Sequence, residues 1–348
     1  ILGGSYLHND RTNYSYAGSL FNWENNSQSV YDNWRTYIRI TQKFGSQTTE
    51  EEANALVKNV YYTLQFDYEK TDNLNQDVTH KDNLFGYGYI GKFEHHVENN
   101  YSFGLDTTLN LSGYVHDNYI YILDTFIPGG VNVEAEKWTS RYFEMDDILA
   151  NARGFRVDDD VSFGLGILNG EGIPSVYGLW TSPGSVSNSY SISDNGQFRV
   201  SAFGSADIGD HAIEMGFEFE QRSFRSYAVG PVGLWSLARD MANMHIDQLD
   251  FTKPHALYLR DDDGNLIYND MGEAVFMDTI WYSRLYSAEN QALFDLRFRE
   301  SQNMELDGLN WIDVDSYDPS ELSIDYFSAD ELLNSGNSYV GYVGYDAW

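Results

Sequence analysis

The stretch FRVSAFGSADIGDHAIEMGFEFEQRSF, Phe198 to Phe224, sorts its side chains by parity. Up to Ile208 the apolar residues Phe198, Val200, Ala202, Ala206 and Ile208 fall on even positions. Gln197, Arg199, Ser201, Ser205 and Asp207 take the odd ones, with Phe203 the exception. After Gly209-Asp210 the parity flips, so that Ile213, Met215, Phe217 and Phe219 are odd and Glu214, Glu218, Glu220 and Arg222 even. Successive side chains of a strand point to opposite faces. A two-residue turn at Gly209-Asp210 therefore sets Ile208 beside His211, Ala206 beside Ile213, Ala202 beside Phe217 and Val200 beside Phe219, all on one face. Arg199 meets Glu220 on the other. Glycine first in a two-residue loop suits a type II′ turn, and a slip of one residue would undo the sorting.

The same alternation recurs upstream. Ile38 and Ile40 alternate with Arg39, Thr41 and Lys43, and Val60, Tyr62, Leu64, Phe66 and Tyr68 alternate with Asn59, Thr63, Gln65 and Asp67. Phe85, Tyr87, Tyr89 and Phe93 share one parity in a predicted strand interrupted by Gly86, Gly88 and Gly91. Tyr101 to Leu111 reads as a further strand, joined to Phe93 by the short link Glu94 to Asn100. These strands run to about ten residues or more, the length a tilted strand needs to cross a bilayer. The connections alternate in size. The Gly209-Asp210 turn is minimal and the link from Gly45 to Leu56 is of middle length. The link from Lys70 to Asn83 is longer, and the stretches after Tyr114 and Ser226 are very long. Short turns at one end and long loops at the other are the pattern of an outer-membrane barrel. The expected fold is all-β: part of a transmembrane antiparallel β-barrel, with strands mainly in 35–112 and 196–224 and surface loops at about 114–194 and 226–348. In the second loop, Leu237, Met241, Met244 and Leu249 predict a short helix between Trp235 and Leu249, and Ser328 is placed to cap another beginning at Asp330.

Composition narrows the function. Among 348 residues, Lys and Arg number 21 against 53 Asp and Glu, a formal charge of -32 that disfavours phosphate backbones and anionic leaflets. The 27 Tyr, 20 Phe and 8 Trp exclude intrinsic disorder, because disordered acidic chains are poor in aromatics. Their combination with a mean hydropathy of -0.46 fits a β-barrel whose apolar band is diluted by alternation, or a secreted β-protein. There is no cysteine, hence neither a disulfide framework nor a thiolate metal site. The stretch opening at Ile1 carries no basic-then-apolar leader, and no run of 18 apolar residues predicts a membrane helix.

The chemical motifs are weak. Asp261-Asp262-Asp263-Gly264-Asn265 suggests a calcium loop, but aligning Gly264 with the central glycine puts Leu259 first and Asp270 last, so a turn is the better reading. Asp158-Asp159-Asp160 and the group Asp313, Asp315 and Asp318 are acidic clusters of the kind this composition scatters freely. His95 and His96 are adjacent and point to opposite faces of a strand, so they do not chelate one ion. No zinc, nucleophile-elbow or phosphate-loop motif occurs, and Gly86-Tyr87-Gly88 sits within a predicted strand. No catalytic residue, cofactor or metal ligand is assigned. Trp180, Trp235, Trp281 and Trp311 are the candidate ligand-binding residues of the loops, where an aromatic face meets a ligand.

The runs RTYIRITQKFG (Arg35 to Gly45), KNVYYTLQFDYEK (Lys58 to Lys70) and DVTHKDNLFGYGYIGKF (Asp77 to Phe93) resemble TonB-dependent outer-membrane receptors of the Oar-like, SusC-related kind. So do Phe198 to Phe224, GLWSLARDMANMHIDQLD (Gly233 to Asp250) and the closing GNSYVGYVGYDAW. The resemblance implies a barrel that captures and imports a nutrient such as an oligosaccharide or peptide. It implies a periplasmic TonB protein as partner through a plug, surrounding outer-membrane lipid, and a surface lipoprotein alongside. Plug and TonB box are absent from this stretch, which offers about six strands against the 22 of such a transporter. Counting back from Trp348 by twos gives Asp346, Gly344, Tyr342 and Val340, so a charge interrupts the pattern of a terminal strand. The expectation is an internal barrel segment with its loops on the cell surface. The alternative is a secreted acidic β-sheet protein that binds glycan or calcium.

Overall fold

The hairpin forms in the register that its parity sets. Tyr190–Ile208 (β6) and His211–Val229 (β7) pair Ile208 with His211, Ala206 with Ile213, Ala202 with Phe217, Val200 with Phe219 and Arg199 with Glu220. Gly209 holds φ at +60°, the left-handed region that opens a type II′ turn and that glycine enters without steric cost. The computed structural model describes residues 1–44, 56–144, 167–336 and 338–343. The link after Gly45, Asp158 to Asp160 and the Gly344 to Trp348 end of the terminal pattern lie outside the described residues.

Two units make up the chain, one of them assembled from Ile1–Asp82, Val186–Gly230 and the strand near the C-terminal end. It is a six-stranded antiparallel sheet in the order β1-β2-β3-β6-β7-β10, where β1 is Leu2–Asn13, β2 Ser27–Lys43, β3 Val57–Asp77 and β10 Val340–Val343. The sheet is open among the described residues: β10 covers only Ser226 to Val229 of β7. The longest strand, β3, runs to Asp77 through most of the link expected from Lys70 to Asn83. A bulge between Lys58 and Tyr61 interrupts its alternation at the start, with Asn59 at φ +51°.

The register carries the sorting across the whole sheet. Leu2, Ile38, Phe66, Val200 and Phe219 form one continuous row, and Ile40, Leu64, Ala202 and Phe217 the next. The opposite face is polar and cross-linked between strands. Arg39 Nε donates to Gln65 at 2.7 Å, Asn33 Nδ2 donates to Glu69 and Thr71 at 2.9 and 2.7 Å, and Arg199 Nη2 lies 3.4 Å from Asp67. The connections of this sheet are sided. β2–β3 and β6–β7 close at the Gly209 end, whereas the segments leaving β3 for β6 and β7 for β10 depart from the other end.

The second unit comprises Asn83–Ser185 and Pro231–Gly336. Its four-stranded sheet runs β4-β5-β9-β8, with β4 Gly91–Asp106, β5 Leu111–Pro128, β8 His255–Tyr258 and β9 Phe276–Trp281. Helices α1 (Val133–Glu144), α2 (Leu234–Met241), α3 (Leu293–Ser301) and α4 (Ala329–Asn334) pack with short 3-10 turns. Phe85 to Ile90 is not a strand: a 3-10 turn at Leu84–Gly86 leads into a segment that buries both parities, with Phe85, Tyr87, Tyr89 and Ile90 all in the core. Gly88 allows that burial, because a Cβ there would lie 2.8 Å from the Val232 carbonyl oxygen and 3.2 Å from Gly170. Glu94 to Asn100 is no link but the body of β4, and the turn falls at Thr107 to Asn110 instead. β5 then occupies the start of the expected loop 114–194.

The helix expected from Trp235 to Leu249 ends early. Ala242 is extended and Asn243 left-handed at φ +65°, because the Asn243 amide is claimed by the backbone of Ile312, donating to its carbonyl at 2.8 Å and accepting from its N–H at 2.7 Å. A single 3-10 turn, Met244–Ile246, follows. The second expected helix forms as α4, with Ser328 and Glu331 in a reciprocal capping box.

Candidate functional site

Two surfaces are built in a way that packing alone does not require. The first is the apolar face of the six-stranded sheet. In a water-soluble layer such a face is covered by a helix or a second sheet. Here Phe217 is 64 % exposed and Ile40 51 %, and Phe66, Phe198, Phe219 and Trp34 are exposed as well. Among the described residues, Val229 is the single buried apolar side chain of this unit. An uncovered apolar area of this extent marks an interaction surface.

The second surface lies in the other unit and starts from the tryptophans. Trp235 lies in the core. It is fully buried, its indole N–H donates to the Phe85 carbonyl at 2.8 Å, and its ring stacks on Tyr89 and meets Phe85 edge-on. Trp281 is half-buried and stacks on His255 at 4.5 Å between centroids. Trp180 is half-buried in the segment before β6. Trp311 is half-buried and stacks on Tyr121 at 4.4 Å, with His95 against it edge-on. Trp235, Trp281 and Trp311 thus have separate aromatic surroundings, and Trp311 is the one that joins a larger constellation.

That constellation grows from β5. Leu123, Tyr121 and Tyr119 alternate along one face of the strand, passing from a buried leucine to two half-buried phenols. The Arg284 guanidinium lies 3.9 Å above the Tyr119 ring, donates from Nη2 to the Tyr121 hydroxyl at 3.1 Å and from Nη1 to the Ile246 carbonyl at 3.0 Å. Burial raises the Tyr119 phenol above its ordinary value, and the Arg284 charge pulls it the other way. Trp311 is held by its own neighbours. Ile312 is buried and bonded to Asn243, while the Asp313 carboxylate accepts from the His95 backbone N–H and touches its Nδ1, both at 3.0 Å. Arg284 was missed from sequence, because nothing near RLY at 284–286 marks it; only the fold brings it onto β5.

Other charged groups of this unit are structural. Asp295 is fully buried and accepts from Arg299 Nε at 2.8 Å and Gln291 Nε2 at 2.9 Å. His245 beside it, 3.6 Å away, is held below its ordinary pKa chiefly by burial, with the Asp295 charge pulling the other way. Asp315 lies 3.1 Å from Arg239 Nε, yet burial outweighs that ion pair and raises its carboxyl. The sequence cluster of Asp313, Asp315 and Asp318 is divided among His95, Arg239 and Lys92. Asp261 accepts from the backbone N–H groups of Asp263 and Asn265, which makes the aspartate run a turn, as its spacing indicates. Among the described residues, no group of three or more His, Asp and Glu is arranged to hold a metal ion, and no helix is long and apolar enough to cross a membrane.

No protein family, curated protein or solved structure matches this chain.

Proposed function

We propose that this chain is a segment of an outer-membrane, TonB-dependent receptor that captures and imports a nutrient such as an oligosaccharide or a peptide. The observation that carries the reading is the uncovered apolar face of the six-stranded sheet, set against a polar face linked by hydrogen bonds. Lipid is the solvent in which that polarity is stable, since a barrel wall faces hydrocarbon on one side and a polar lumen on the other. The apolar run of β6 from Phe198 to Ile208 measures about 34 Å along the strand. At a tilt of about 45° it covers about 24 Å, which matches the usual apolar band of about 25 Å. The sidedness of the connections supports an orientation with Gly209-Asp210 in the periplasm and the long insertions on the cell surface. Importing a large nutrient by this route calls for TonB as the energy-supplying partner and is compatible with a surface lipoprotein, as in the receptors the sequence resembles.

The chain lacks cysteine, so single labels test the reading directly. Spin labels at Phe217→Cys and Ile40→Cys, in protein inserted into bilayers, should collide with dissolved oxygen far more than with an aqueous nickel complex. Labels at Glu218→Cys and Arg39→Cys should show the opposite ratio. Equal aqueous access at all four positions would sink the membrane assignment and favour a secreted β-sheet protein.

A further inference from the structure

We infer that Trp311, Tyr121 and Arg284 form a binding site for a sugar ring that carries one carboxylate, a uronic acid. The site concerns the unit of Asn83–Ser185 and Pro231–Gly336 alone, and it stands whether or not the six-stranded sheet enters lipid.

Arg284 is unusual among the cations of this unit. Fifty-three carboxylates surround 21 Lys and Arg in this chain, so a guanidinium has carboxylate partners in excess. Arg239, Arg299 and Lys92 each take one. Arg284 has none within ion-pair distance among the described residues. Instead a carbonyl, a phenol hydroxyl and the face of Tyr119 fix its orientation. Two of its five N–H donors are used there, and a planar guanidinium pairs best with a carboxylate, two bonds at a time. The arginine is therefore fixed in place with donor capacity left over.

Trp311 supplies the second half. Tyr121 connects the two: its ring stacks under the indole and its hydroxyl accepts from Arg284. A sugar ring bound at this cluster would take the indole as its apolar surface and the Arg284 guanidinium as the partner of its carboxylate. The indole is held by Ile312 bonded to Asn243 and by Asp313 bonded to His95, so little ordering remains to be done on binding. A sugar suits the site better than a benzene ring, because the surroundings are half polar and its hydroxyls find partners there. The register sets Asn99 beside Tyr119. The net charge of -32 speaks against a densely charged polyanion. It tolerates one carboxylate, because charges more than about 8–10 Å away are screened at physiological salt.

The test is calorimetric titration of the whole chain, in detergent where needed, at physiological ionic strength with glucuronate, glucose and phenylacetate. Glucuronate should bind about tenfold or more tighter than glucose, the worth of a charge-assisted hydrogen bond, and phenylacetate should bind more weakly than glucuronate. Arg284→Gln should bring glucuronate down to the glucose level, Trp311→Ala should weaken both sugars, and Trp281→Ala should change neither. Tyr121→Phe, which keeps the stack and removes only the hydroxyl that orients Arg284, gives an intermediate loss and serves if Arg284→Gln fails to fold. No heat with glucuronate on the intact chain, equal affinity for glucuronate and glucose, or discrimination surviving in the arginine and Tyr121 variants would each overturn the site. Phenylacetate binding as tightly as glucuronate would overturn the sugar assignment and point to an aromatic peptide terminus.

Discussion

The two units use the same aromatic and aliphatic residues in opposite ways. In the unit of α1 to α4 the rings turn inward: Phe85, Tyr87, Trp235, Phe294 and Phe298 are buried to within a few per cent, and Phe294 stacks on both Phe298 and Phe327. In the six-stranded sheet, Phe66, Phe217 and Phe219 project from a single layer with nothing of their own unit over them. Water as solvent accounts for the first arrangement through burial of apolar area. The second is an apolar face that its own unit leaves uncovered, and an uncovered area of this extent marks an interaction surface. The difference teaches that the unit with an inside core carries its stability with it, while the sheet depends on its surroundings.

The sharpest test of that contrast is Asp295→Ala, which leaves Arg299 charged and unpaired at zero exposure. A loss of about 3–5 kcal/mol is expected in the stability of the helical unit, read by denaturant unfolding, with no dependence on lipid. An effect near zero would mean that this unit has no tight interior. Next is Phe217→Arg, in the middle row of the apolar face. In a bilayer it should cost about 2–4 kcal/mol, while Glu218→Gln on the other face is nearly silent. Equal tolerance of both would erase the distinction between the two faces. Gly209→Ala, at φ +60°, should cost about 1–2 kcal/mol through left-handed strain, measured as lost hairpin stability.

The smallest effect is electrostatic and belongs to His96. Its Nδ1 lies 2.8 Å from Asp124 and its Nε2 3.3 Å from Glu98, and these bonds raise its pKa, Asp124 most of all. The stabilisation is thus fully present below the ordinary histidine value near 6.5 and fades as pH rises through the higher folded value. Nuclear magnetic resonance should place the titration above the ordinary value, and Asp124→Asn should bring it down. A midpoint unchanged by that substitution would separate the ion contact from the shift.

How much was legible in the sequence follows the same division. Period-two sorting gave the register of the β6–β7 hairpin, the later part of β2 and the first half of β3, because a strand with one apolar face writes its pattern locally, while β1 and the Lys70 to Asp77 end of β3 went unread. The helical unit was largely hidden. From Phe85 to Ile90 both parities are apolar because both are buried, and helix α2 stops where Asn243 bonds to Ile312, a partner 69 positions away. The ligand site shared this fate. Trp311 could be suspected as an aromatic in a loop, but Trp235 looks identical in sequence and lies in the core, while Arg284 carries no local mark at all.

The sided connections of the sheet also set a timetable for its assembly. β6 and β7 are joined by two residues, whereas Asn75 reaches Ser189 across 114 positions, and strand β10 waits for the second insertion. Closing a long flexible chain costs entropy that short closures avoid. Folding should therefore begin at the β6–β7 hairpin and in the helical unit, with β3 docking on β6 last. Pulsed hydrogen exchange during refolding would show this as early protection at Ala202 and Phe298 and late protection at Leu74, and simultaneous protection of all three would refute that order.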